Sequence, residues 1–88
     1  MIFISLAKLR RKPTKDGIAE VDKLAGKMSK YGIKVIGSYW TLGRYDSVLI
    51  LEAPDEKVAM KGALLYGDIV SSETLVAIPR NEAVKLLD

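Results

Sequence analysis

Val48-Leu49-Ile50-Leu51 places four aliphatic residues in succession, so a strand built from it has no polar side. Such a strand must be covered on both faces, which puts it in the interior of a sheet. It follows at once on Tyr39-Trp40-Thr41-Leu42-Gly43-Arg44-Tyr45-Asp46, where three aromatic residues flank a glycine turn. The pair reads as a β-hairpin whose second arm, Ser47 to Ala53, runs through the middle of the sheet. Ile2 to Leu9 is a second run of the same kind. Ile2, Ile4 and Leu6 lie on one side, and Phe3, Ser5, Ala7 and Leu9 lie on the other.

The remaining elements fall around these two strands. Lys8 to Lys15 is a basic connection, with Pro13 suited to the first turn of a helix and Thr14 or Asp16 as its cap. Ile18, Val21, Leu24, Ala25, Met28 and Tyr31 recur at helical spacing, and Gly32 ends that helix. Ile33 to Leu42 is a poorer strand, interrupted by Lys34, Gly37, Ser38 and Thr41, so it belongs at an edge, and Gly37 marks a bulge or a close backbone approach. Pro54-Asp55-Glu56 opens a second helix with Asp55 as cap. Val58, Ala59, Gly62, Ala63, Leu65 and Tyr66 line it, and Gly67 stops it. Its small residues let it lie close to the sheet. Glu73 to Ile78 is a fourth strand, broken by Pro79. Asn81 then caps a short tail helix that turns Ala83, Val84, Leu86 and Leu87 inward.

The order β-α-β-β-α-β predicts an α+β, ferredoxin-like domain over residues 1–88. Its four-stranded antiparallel sheet carries two helices on one face and a short C-terminal helix. Topology puts the first and third strands in the centre, and these are the two apolar runs. The uncovered face is then apolar as well, and soluble monomers rarely expose more than about 300–600 Å² of contiguous apolar surface. A second copy packed sheet to sheet is the simplest cover, so a homo-oligomer, dimer or higher, is expected.

Composition narrows the chemistry. The 88 residues include no cysteine and no histidine, so disulfides, thiolate sites, imidazole bases and most transition-metal centres are not expected. Neither a cofactor nor a metal is predicted. The apolar start precedes its basic cluster, unlike a signal peptide, and no run is long enough for a membrane span. A soluble, cytoplasmic protein is expected. Abundant Lys, Arg and Glu with no Gln lean towards a heat-adapted source. Residues 1–44 carry ten Lys and Arg against three Asp and Glu, a balance of +7, whereas residues 45–88 stand at −4. Lys8, Arg10, Arg11, Lys12 and Lys15 would suit phosphates, but the third strand lacks the aromatics on which ferredoxin-like RNA binders stack bases. Nucleic acid is therefore not the expected partner.

Tyr39-Trp40-Thr41-Leu42-Gly43-Arg44-Tyr45-Asp46, then Val48, Glu52-Ala53-Pro54-Asp55 and Ser72-Glu73-Thr74-Leu75, resemble the GYD domain family, whose label comes from a Gly-x-Tyr-Asp element, here Gly43-Arg44-Tyr45-Asp46. The likeness runs from about Gly32 to Ile78. It implies a ferredoxin-like fold similar to dimeric α/β-barrel proteins and carries almost no activity with it. From the residues themselves, Tyr39, Trp40, Arg44, Tyr45 and Asp46 are the candidate ligand-binding group, rings and charges converging on one hairpin. The competing reading is structural, with Tyr45 packed on the sheet end and Arg44 and Asp46 satisfying the turn. The chain is thus expected to be a ligand- or protein-binding, regulatory module that self-associates through its apolar sheet face. The alternative is a cofactor-less enzyme with a small-molecule pocket between two sheets, near the Tyr39–Asp46 hairpin.

Overall fold

The structure is a computed structural model that describes residues 1–87. Its elements are β1 (Ile2–Leu9), α1 (Lys15–Lys30), β2 (Lys34–Trp40), β3 (Ser47–Glu52), α2 (Glu56–Leu65), β4 (Val70–Ala77) and α3 (Arg80–Val84). The four strands form one antiparallel sheet in the order β2-β3-β1-β4. The two apolar strands are central, as the ferredoxin-like pattern requires.

Local chemistry sets the boundaries. Thr14 Oγ1 accepts from Gly17 N–H at 3.0 Å and Asp55 Oδ1 accepts from Val58 N–H at 2.9 Å, so both long helices have side-chain N-caps. Gly32 follows α1 with φ +87°, a left-handed conformation that glycine adopts without a Cβ penalty. Of the two readings of Gly37 the pairing favours the bulge, the β2–β3 register shifting between Val35 and Gly37.

Three expectations are corrected. β2 stops at Trp40, because Thr41 N–H turns to the Asp46 carbonyl and closes the hairpin. β4 begins at Val70, three residues before Glu73, since β1 stays paired as far as Leu9↔Val70; Ile78 lies beyond its end. The tail does not turn inward. α3 follows an extended Pro79 and has no side-chain cap, Asn81 lies within its first turn, and Leu86 and Leu87 are 74% and 77% exposed. A five-residue helix has too short an apolar stripe to hold the tail down. The Cα radius of gyration is 13.9 Å, against about 12 Å for a compact chain of this length.

The packed core is small and lies at one end. Phe3, Met28, Ile33, Leu51, Ala53 and Ala59 form it, Phe3 being only 2% exposed. The terminal ammonium of Met1 donates to the Ala53 carbonyl at 2.9 Å and fastens the chain start there. A Cβ on Gly62 would lie 2.6 Å from Ile33 Cδ1, so α2 makes its close approach to the core at this glycine.

Candidate functional site

The sheet register sorts the side chains by face. Towards the helices, Val35, Leu51, Phe3 and Val76 form one cross-strand row. The next row reads Ser38, Leu49, Ser5 and Thr74, and the one after it Trp40, Ser47, Ala7 and Ser72. The first row is wholly apolar, and Leu51 and Phe3 in it belong to the core. The other two are dominated by small and hydroxyl-bearing residues, and between them and the helices lies a cavity of about 760 Å³ that is partly open to solvent. Gly62 and Ala63 of α2 and Gly17 and Ile18 of α1 are among the residues that roof it. Small side chains on both sides of the gap are the local reason that the space is not filled.

Tyr66 stands at one wall. Its hydroxyl donates to the Val21 carbonyl at 3.3 Å, tying the end of α2 to α1. Burial raises its pKa above the ordinary tyrosine value, and the charge of Asp22 adds to the effect.

The five hairpin candidates do not form one group. Trp40 and Asp46 line the large cavity, Trp40 being 72% exposed on its rim. Arg44 and Tyr45 border a separate recess of about 220 Å³ with Lys8, Ser71, Ser72 and Glu73. Tyr39 pairs with Val48 and lies on the open face. The cavity therefore sits beneath the helices, and the hairpin divides its residues between three places.

Most of the hairpin's polar groups are engaged in closing the fold. Thr41 Oγ1 donates to the Tyr45 carbonyl at 2.7 Å. Asp46 N–H donates to the Ala7 carbonyl at 2.8 Å, and Asp46 Oδ2 accepts from Leu9 N–H at 2.7 Å. The Tyr45 hydroxyl donates to Glu73 Oε2 at 2.7 Å, and the Arg44 guanidinium lies 5.9 Å from the Tyr45 ring centroid. The hydrogen bond to the Glu73 carboxylate raises the Tyr45 pKa, with partial desolvation and the Glu73 charge acting the same way and Arg44 opposing. Gly43 has φ +105°, which only glycine adopts readily. Gly43, Tyr45 and Asp46 thus clasp the hairpin to β1 and β4.

The basic segment is tied down in part. Arg10 Nε donates to the Gly67 carbonyl at 2.8 Å, and Arg10 N–H donates to the Ile69 carbonyl at 2.9 Å. Arg11 and Lys12 reach the cavity rim. Among the described residues no cluster of acidic side chains suits a metal ion, and no helix is long and apolar enough to cross a membrane.

On the other side of the sheet, Ile4, Leu6, Val48 and Ile50 form an apolar centre with Leu75 and the 59%-exposed Tyr39 beside it. Lys34 and Glu52 frame one end of this patch, and Lys8 and Glu73 frame the other.

Fold and site together define a ferredoxin-like α+β domain with a hollow helix side, an open apolar sheet face and a clasped hairpin. The chain belongs to the GYD domain family, which it matches over residues 1–87. The match thus extends the likeness of the hairpin region to the helix and strand before it. No curated protein matches the chain.

Proposed function

We propose that this GYD domain is a homodimeric small-molecule-binding module of the cytoplasm. Two copies join sheet to sheet, and each holds a ligand between its own helices and sheet. The observation that carries this reading is the division of the sheet: an apolar, uncovered face on one side and a hydroxyl-floored hollow on the other. The open face is also self-complementary in charge, since each end carries one lysine and one glutamate, Lys34 with Glu52 and Lys8 with Glu73. A second copy turned about a two-fold axis can set unlike charges together in register with the apolar centre.

Asp46 is the carboxylate that the hairpin brings to the cavity, and its Oδ2 accepts from Leu9 N–H, which ties this side chain to the closure of the fold.

Light scattering tests the assembly. A mass near twice 9.7 kDa is expected, with Ile4→Lys and Leu6→Lys reducing it to the protomer. A wild-type species of 9.7 kDa at every concentration would overturn the dimer.

A further inference from the structure

We infer that the hollow under the helices takes an uncharged, ring-containing molecule with hydroxyl or carbonyl groups along one edge. The inference deepens the binding reading above and rests on it for the site, though not for the dimer.

The first argument is the floor. Ser5, Ser38, Ser47, Ser72 and Thr74 come from four different strands, yet all five lie in the two rows beneath the cavity and none in the apolar row under the core. Side chains pointing from a sheet towards its helices ordinarily complete a core, and interiors pack with few voids larger than a water. Here hydroxyl residues make up the middle of the floor, while the same open space reaches Leu51 at the core end and Leu9 and Val70 at the other. No polar side-chain atom is both buried and without a partner among the described residues, so these hydroxyls are either bonded or accessible to an occupant. A hydroxyl both donates and accepts, so it serves alcohol and carbonyl groups alike.

The second argument is size and wall chemistry. A volume of about 760 Å³ falls in the range of small-molecule sites, roughly 300–1,000 Å³. Trp40 and Tyr66 supply aromatic edges, and Ile18, Val21, Leu49 and Val70 supply aliphatic surface. Flat apolar rings suit such walls.

The third argument is charge. Arg11 and Lys12 stand at the rim, but Asp16, Glu20, Asp22 and Asp68 outnumber them, and all six are exposed. The rim is therefore acidic on balance although the chain as a whole is +3. An anion entering here meets net repulsion and finds no cation on the floor, so burying its charge would be unfavourable.

The test uses 2-naphthol, with naphthalene and 2-naphthoate as the forms lacking the hydroxyl and carrying a negative charge. Calorimetry gives the affinities, and methyl NMR of the full chain separates the two sides of the sheet. Expected is saturable binding of 2-naphthol that moves the methyls of Ile18, Leu49 and Val70 before those of Ile4, Ile50 and Leu75. It should be about threefold or more tighter than either comparator. The double variant Ser5→Ala/Ser47→Ala should weaken 2-naphthol by about tenfold and leave naphthalene unchanged. Equal affinity for the three compounds, a preference for 2-naphthoate, no effect of the serine changes, or first shifts on the open face would each overturn the inference. Light scattering on the same samples keeps the two readings apart. A monomer that binds 2-naphthol beside Leu49 sinks the dimer alone, and a dimer that binds none of the three compounds sinks the pocket alone.

Discussion

The Tyr45 hydroxyl donates to Glu73 Oε2 at 2.7 Å, joining residues 28 apart in sequence across the end of the intervening strand β1. With Asp46 holding Leu9 N–H, this bond makes the hairpin a clasp over one end of the sheet. The family's Gly-x-Tyr-Asp element thus has a mechanical role that follows from its own geometry.

The clasp should be visible in the alkaline limb of stability. Hydrogen bonding to the Glu73 carboxylate raises the Tyr45 pKa above 10.0 in the folded chain. The protonated form is the one the fold favours, so this contribution is full below the unfolded pKa and lost as pH rises through the folded one. Tyr45→Phe should lower the urea midpoint at neutral pH and shallow the decline above pH 10. The same alkaline slope in wild type and variant would rule this out. Tyr66, raised by burial, remains in both and contributes to the residual slope.

Asp46→Ala removes the acceptor for Leu9 N–H and should destabilise by about 1 kcal/mol, a modest figure because the bond is exposed. Asp46→Asn keeps an oxygen at the same place and should lose clearly less. Chemical denaturation of the pair distinguishes the two, and equal losses would show that the charge, not the acceptor, matters.

Gly43→Ala should cost about 1 kcal/mol, because φ +105° is strained for any residue with a Cβ even though the space around it is open. Gly43→Asn, which tolerates positive φ better, should recover part of that. Thermal unfolding of the two variants checks the order.

Phe3→Ala should be the most damaging of these changes. Phe3 is 2% exposed in a small core cluster of six buried residues among those described, and truncations of this kind cost about 3–5 kcal/mol. For a domain this small that approaches the whole stability. Loss of the cooperative thermal transition is the expected result, and a small shift in midpoint would show that the core tolerates the gap.

The architecture was legible because it rests on periodicity. Two apolar runs, a bulge at Gly37, caps at Thr14 and Asp55 and a positive-φ glycine at Gly32 are all local signals, and each is where its neighbours put it. The cavity was not legible. Ser5, Ser38, Ser47, Ser72 and Thr74 are scattered over 70 positions and read as ordinary interruptions of strands; only the register lines them up. One signal was available, since Ser5 breaks an otherwise apolar side of β1 at a position that points to the helices. The spread of the hairpin residues was hidden for a related reason. Tyr39, Trp40, Arg44, Tyr45 and Asp46 are close in sequence, but strand alternation and the turn at Gly43 send them to different surfaces. The tail misled because its spacing is amphipathic while its helix is only five residues long.

The two borders of the sheet are unequal. β4 runs unbroken for eight residues, whereas β2, at the opposite border, is kinked between Val35 and Gly37. A molecule with two straight margins can be stacked by strand addition into a ribbon without end, and a kink spoils the template on its side. Lateral growth is thus disfavoured on the β2 side by the irregularity around Gly37, and joining through β4 is expected to stop at a pair.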